Sequence, residues 1–279
     1  MYTYRPDNYV KGKVIVITGA SSGFGAATAR KAAAMGGRVV LAARREERLA
    51  SIVDEIRSVG GEASYIVTDV SDREQVFAMV NFAIETYGRI DVLVNNAGTM
   101  PEAFFGDYKL ALDAWEKCID TSIKGTVYGI CAAYDPMIEQ GEGQIINISS
   151  IMGNYGLAGN GVYNVSKVAI KYLSDSLRAE TRGKIKVTTI KPTAVNTTEL
   201  MGTVVNVNGS MAGLYGGKVF DMMMLSQNPP PGIMDRDSTQ LGEPVADDLA
   251  DNIIYAINQP MGVDVSDITV RASGEHLFV

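Results

Sequence analysis

Lys13-Val14-Ile15-Val16-Ile17-Thr18-Gly19-Ala20-Ser21-Ser22-Gly23-Phe24-Gly25 decides how the rest of the chain is read. Residues 14–17 form an unbroken β-branched apolar run, the pattern of a strand buried on both faces. Three glycines follow at spacings of four and two, and the alanine-rich stretch 26–35 then reads as a helix. A strand, a glycine turn and a helix in that order make the front of a dinucleotide site. Glycine allows the tight turn and the close approach of pyrophosphate to the backbone. The helix start supplies unpaired N–H groups and partial positive charge. The spacing is Gly-x-x-x-Gly-x-Gly rather than the more familiar Gly-x-Gly-x-x-Gly, so the turn needs support from elsewhere in the chain.

Outward from this turn, apolar strand-like runs alternate with amphipathic stretches. Strands are predicted at 14–18, 38–43, 64–68, 91–95, 144–149, 186–191 and 267–271. Helices are predicted at 25–35, 46–59, 72–87, 110–134, 163–182 and 247–257, with Ser71 or Asp72 as a cap for the third. Strict alternation implies parallel pairing through right-handed crossovers. The expected fold is therefore α/β: a single-domain, doubly wound, Rossmann-type parallel β-sheet with helices on both faces, spanning residues 1–279. Ligands should bind at the carboxyl ends of its strands. One interval breaks the pattern. Residues 200–243 hold six methionines and the run Asn228-Pro229-Pro230-Pro231-Gly232 without a clean period. So long an irregular stretch in a compact domain reads as a functional insertion.

Tyr163 and Lys167 stand four residues apart on a predicted helix, and Ser150 lies thirteen residues before the tyrosine. Positions i and i+4 share a helix face, which places an ammonium beside a phenol. The phenol should then have a lowered pKa and serve in proton transfer. Other chemistries lack their residues. His276 is the single histidine, so a serine–histidine–acid triad or a histidine-rich metal site is not expected. Cys118 and Cys131 are too few for a disulfide framework and are both read as small buried apolar groups. A net charge of −7 without a basic tract argues against nucleic acid as a partner. No stretch reaches the roughly 20 apolar residues of a membrane span. Residues 1–10 carry no apolar signal core, so a cytoplasmic location is expected.

These markers occur together in the short-chain dehydrogenase/reductase family, which the chain resembles over nearly its whole length. They are the glycine turn from Thr18 to Gly25, Asp69-Val70, Asn95-Asn96-Ala97-Gly98, Ser150, and Tyr163 with Lys167. The resemblance implies hydride transfer between a nicotinamide cofactor and a carbon bearing oxygen. It also implies the role of each residue. Tyr163 would be the general acid or base, Lys167 would hold the nicotinamide ribose and tune the phenol, and Ser150 would orient the substrate oxygen. Ser149, the neighbouring hydroxyl, would serve the backbone. Gly19, Ser21, Ser22, Gly23, Phe24 and Gly25 would cradle the cofactor, and Asp69 and Val70 would meet the adenine. Asn96, Ala97 and Gly98 would line the site, and Thr197 would reach the nicotinamide amide or the phosphates. Asn95 would brace the sheet.

Two positions depart from the family pattern. Ser122 stands where relatives have an asparagine that holds a relay water, and Thr193 stands where a glycine is usual. Ala43 takes the place of the acidic residue found in NAD-specific relatives, and Arg44 and Arg45 follow it. NADP(H) is therefore expected, with Arg44 as the main 2′-phosphate contact and Arg45 as a second candidate. The methionine-rich insertion suggests a ketone or secondary alcohol on a bulky apolar ring system, such as a hydroxysteroid, bile acid or polyphenol. It could instead pack on its own body or another subunit. The competing reading is a catalytically idle, nicotinamide-binding relative. The resemblance also implies a homotetramer or homodimer, formed through the long middle helix and the Tyr163 helix.

Overall fold

The computed structural model describes residues 7–193, 198–206, 237–238 and 245–273. Thr197, His276 and most of the methionine-rich insertion lie outside these residues. Seven strands form one parallel sheet in the order β3-β2-β1-β4-β5-β6-β7. They are β1 (Val14–Thr18), β2 (Arg38–Ala43), β3 (Glu62–Val67), β4 (Val92–Asn95), β5 (Gly143–Ile148), β6 (Ile185–Pro192) and β7 (Asp267–Val270). The chain winds outward from β1 to β3, then crosses back to β4 on the other side of β1. A crevice is left at the carboxyl ends of β1 and β4, the usual ligand position in open sheets. This is the doubly wound Rossmann-type architecture expected from the sequence.

Strand side chains alternate between two apolar layers. Ile15 and Ile17 of β1 pack with α1 (Gly23–Ala34), α2 (Glu46–Ser58) and α8 (Ala246–Ile257). Val14 and Val16 face the opposite layer, built from α3 (Arg73–Tyr87), α5 (Gly125–Gln140) and α6 (Gly161–Glu180). The remaining helices are α4 (Tyr108–Cys118) and the short α7 (Thr198–Met201). Local signals set several boundaries. Asp72 accepts hydrogen bonds from the N–H groups of Glu74 and Gln75, which caps α3. Gly88, in the left-handed region at φ 83°, ends the same helix.

Most boundaries fall within two residues of expectation, and two differences have a physical cause. Strand β3 begins at Glu62 rather than 64 because Glu62 and Ala63 pair with Arg38 and Val39, a contact that local sequence does not report. The helical stretch expected at 110–134 runs from Tyr108 to Gln140. It contains a π-helical turn at Ile119–Lys124 and continues through Pro136.

Buried polar groups lock the central strands together at both ends. Asp91 accepts the Val14 N–H at 2.8 Å and the Arg89 guanidinium at 2.8 Å, fixing β4 against β1. Asn95 and Asn147 sit opposite each other in the β4–β5 register, and Asn95 donates to the Asn147 side-chain oxygen at 2.9 Å. Asn147 in turn donates to Ser174 on α6 at 2.9 Å. Helix α5 must pass close over this pair, and Gly129 allows it: a Cβ there would lie 2.3 Å from the Asn95 oxygen.

Candidate active site

The glycine turn is built as a cradle. Gly19 and Gly23 have φ of +64° and +50°, a region that side chains with a Cβ avoid. A Cβ on Gly25 would lie 2.7 Å from the Gly19 carbonyl oxygen, and one on Gly19 would lie 2.9 Å from Ala97 Cα. The turn therefore presses directly against the chain after β4. Thr18 and Asn96 pin that contact. The Thr18 hydroxyl accepts the N–H groups of Asn96 and Ala97 at 2.9 and 3.1 Å. The Asn96 amide donates to the Thr18 carbonyl at 2.8 Å. Asn96 thus braces the turn as well as lining the crevice. Ser22 stands at the N-cap of α1 without its side chain capping the helix, so the first N–H groups remain directed outward. Phe24 is partly buried against the adjoining apolar layer.

Of the two arginines after β2, the structure brings Arg45 to the turn. Its guanidinium donates to Ser21 at 2.8 and 3.1 Å and to Ser22 at 2.9 Å, and it pairs with Glu199 of α7 at 2.5 Å. Arg48 also pairs with Glu199. Arg44 is exposed and lies beside Asp69 instead. Partial burial works to raise the Asp69 carboxyl. Hydrogen bonds from Ser71 and the charges of Arg44 and Lys117 outweigh it and hold the group below its ordinary value. Val70 is buried, and Gly125 of α5 packs on it so closely that a Cβ would lie 3.0 Å from its side chain.

At the carboxyl ends of β4, β5 and β6 the expected proton-transfer residues converge. Tyr163 and Lys167 share a face of α6, each 5% exposed, with the Lys167 Nζ 5.6 Å from the phenol ring centroid. The Ser150 hydroxyl faces the phenol, whose ionised form it favours, and accepts the Met152 N–H at 3.1 Å. Ser149 donates to the Lys167 carbonyl at 2.8 Å, the backbone-serving role expected of it. Lys167 donates to the Ile148 carbonyl at 3.1 Å. A Cβ on Gly98 would lie 3.6 Å from the Lys167 Nζ and 3.7 Å from the Ser122 hydroxyl, so this glycine keeps the space between them open. Ser122, wholly buried, lies in the π-helical turn. Behind it the Cys118 thiol reaches both Ser122 and Ser166.

One expectation is reversed. The phenol does not have a lowered pKa: burial pushes it up, Ser150 offsets this only in part, and the charge of buried Glu102 adds to the rise. The same burial pushes the Lys167 ammonium down to about 8, so the lysine is itself weakened as a source of positive charge. A second correction concerns the cysteines. Cys118 is buried but Cys131 is exposed. Thirteen residues span about 3.6 helical turns, so both could not face one core.

Sequence reasoning missed several residues that shape this region. Glu102, 1% exposed, accepts from the Asn160 side chain at 2.6 Å, and Asn160 is the N-cap of α6. The Glu102 carbonyl accepts the N–H groups of Val205 and Asn206 at 3.3 and 2.9 Å. Three segments distant in sequence meet there, and no local pattern announces it. Asn147 did carry a signal, as a polar residue inside the apolar run Ile145-Ile146-Asn147-Ile148.

A nicotinamide dinucleotide fits the residues present. The glycine cradle and the open N-terminus of α1 suit pyrophosphate. The hydroxyls of Thr99 and Thr193, at the far end of the crevice, are buried with no hydrogen-bond partner among the described residues. Such groups suit a polar ligand amide. Among the described residues no cluster of metal-ligating side chains occurs, and no helix is long and apolar enough to cross a membrane.

Comparison with known proteins agrees with this geometry. Residues 13–209 match the sequence profile of the short chain dehydrogenase family. An uncharacterised oxidoreductase of Listeria monocytogenes is 39% identical over 269 residues, which cover 95% of this chain and 98% of that protein. A glycine betaine reductase of Emericella nidulans is 33% identical over 271 residues, covering 97% of this chain but 19% of that protein. Among solved structures, a metagenomic short-chain oxidoreductase in complex with NADP superposes with a TM-score of 0.72 at 28% identity, covering 94% of this chain and 98% of that one. A short-chain dehydrogenase/reductase from Burkholderia phymatum in complex with NAD gives 0.74 at 27% identity, covering 94% and 89%. Fold, crevice and profile agree: the chain belongs to the short-chain dehydrogenase family and is an oxidoreductase.

Proposed function

We propose that the protein is an NADP(H)-dependent oxidoreductase that interconverts a ketone and a secondary alcohol, with Tyr163 as proton donor and acceptor. The observation that carries this reading is the buried Tyr163 phenol, facing Ser150 and beside Lys167, at the carboxyl ends of β4–β6. A phenol held above its ordinary pKa is fully protonated at neutral pH, the form that donates to a carbonyl oxygen. Ser150, facing the phenol, is placed to hold the same oxygen and so fix its distance from the proton. Lys167 holds the ribose hydroxyls, with Ser122 across the gap that Gly98 leaves. When bound, the nicotinamide supplies or accepts the hydride.

Support for NADP(H) comes from Arg45. It is anchored on Ser21 and Ser22 at the glycine turn, and no acidic residue ends β2. Arg45 replaces Arg44 as the main contact in this proposal, with Arg44 flanking the adenine side near Asp69. The apolar cluster around Tyr163, formed by Ile151, Met152, Met100 and Leu157, suits a bulky apolar ring substrate. Exposed Tyr108, Leu110, Leu112, Val165 and Tyr172 on α4 and α6 support assembly into a dimer or tetramer through those helices.

Tyr163→Phe tests the core of the proposal. Turnover of a steroid, flavonoid and aliphatic ketone panel with NADPH should fall by at least about a hundredfold, while NADPH binding stays near wild type. Retained turnover in the variant would remove Tyr163 from the chemistry. Conversion confined to short polar ketones would remove the ring-substrate assignment.

A further inference from the structure

Glu199 of α7 reaches across from the β6 side of the crevice to the start of α2. Its two carboxylate oxygens take different arginines, one pairing with Arg45 at 2.5 Å and the other with Arg48. Arg45 is simultaneously held by the hydroxyls of Ser21 and Ser22. Each of these hydroxyls accepts from the guanidinium and so keeps its own proton for a further acceptor. Two guanidinium groups closing on one carboxylate, one of them held in place by two hydroxyls, make an anion site. It lies at the edge of the glycine cradle, where β2 ends. Within this chain the anion is a carboxylate.

We infer that Glu199 occupies the site that takes the adenosine 2′-phosphate of NADP(H), so that the carboxylate and the phosphate compete for Arg45 and Arg48 and Glu199 sets the strength of cofactor preference. A phosphate monoester carries up to two negative charges and three acceptor oxygens, so it outcompetes a single carboxylate at such a site. The 2′-hydroxyl of NAD(H) carries no charge and leaves the Glu199 pairs intact. The arginine–glutamate pairs are partly exposed, with side chains 41%, 53% and 38% accessible for Arg45, Arg48 and Glu199. Their exchange for phosphate is therefore a modest and reversible step. Hydrogen bonds from both arginines hold the Glu199 carboxyl below its ordinary value, so it remains charged and competitive at neutral pH. This inference rests on the NADP(H) reading above and deepens it.

Calorimetric titration of wild type, E199Q, E199A and R45A with NADPH, NADH and 2′,5′-ADP tests it without reference to turnover. Both Glu199 variants should bind NADPH and 2′,5′-ADP about three- to tenfold more tightly than wild type, the scale of two partly screened ion pairs. NADH affinity should not change. R45A should weaken NADPH and 2′,5′-ADP and spare NADH. Unchanged NADPH affinity in E199Q and E199A, alongside a weakened R45A, overturns the competition and leaves the cofactor reading standing. Equal tightening of NADH and NADPH also overturns it, because the effect would then not belong to the phosphate. Equal wild-type affinity for the two cofactors, with R45A without effect on either, overturns the cofactor reading itself.

Discussion

Gly129→Ala adds one methyl group to a helix and is expected to destabilise the protein. In an ordinary helix interior the same change stabilises by about 1 kcal/mol, since alanine loses less backbone entropy than glycine. Here the new Cβ would lie 2.3 Å from the Asn95 oxygen, 3.1 Å from its Cγ and 3.2 Å from its amide nitrogen. So deep an overlap engages two responses: α5 lifts from the sheet and Asn95 turns away. Lifting the helix overpacks or opens the interface, a cost of about 1–3 kcal/mol. Turning Asn95 breaks its 2.9 Å bond to Asn147 and strands a buried amide oxygen, again about 1–3 kcal/mol. With the propensity gain subtracted, the net loss centres on roughly 3 kcal/mol if both responses are engaged. For a chain of this size that corresponds to a fall in Tm of about 6–12 °C. Urea and thermal unfolding at matched protein concentration measure it. Asn95→Ala in the same chain should absorb at least about 1 kcal/mol of the loss, because the clashing group is gone. A Tm at or above wild type, or strict additivity in the double variant, would refute the close-packing argument.

Three further outcomes follow from buried groups. Burial lowers Lys167 and Lys186 to about 8, so between pH 8 and 10 the unfolded chain binds more protons than the folded one and stability should rise with pH. Tyr163 is shifted upward and opposes this only above the ordinary phenol value of 10.0; urea midpoints across that range should climb, and Lys167→Met should flatten the slope. Gly19→Ala places a Cβ 2.9 Å from Ala97 Cα at φ +64°, so it should weaken NADPH binding at least about tenfold by calorimetry, through displacement of the cradle. Asp91→Ala leaves the Val14 N–H without its 2.8 Å partner inside the sheet and should cost about 2–3 kcal/mol by urea unfolding, with Asp91→Asn costing less.

The strand runs were legible because a buried parallel strand needs β-branched residues on both faces, and Val14–Thr18 and Arg38–Ala43 leave little else to read. Tyr163 and Lys167 were legible because helical spacing fixes a shared face. What escaped depends on packing between distant segments. The two arginines are adjacent in sequence, and only the meeting of α2 with the glycine turn and α7 brings Arg45 onto Ser21 and Glu199 while Arg44 stays near Asp69. The sign of the phenol shift escaped for a similar reason. Spacing announces a neighbouring charge, whereas desolvation depends on everything that closes over the ring, Ile151, Met152 and Leu157 included. The π-helical turn at Ile119–Lys124 lies within a stretch of uninterrupted helical character, so periodicity could not mark it.

Glu102 gives the molecule a mechanical property that no one of its contacts has. Its side chain holds the residue from which the Tyr163 helix starts, and its main chain holds the strap at Val205 and Asn206. A displacement of the strap would pull, through Glu102, on the first turn of that helix. Under the proposed function, the fit of a substrate against the strap and the aim of the phenol at its oxygen would be one adjustment. Poor substrates should lose speed as well as affinity.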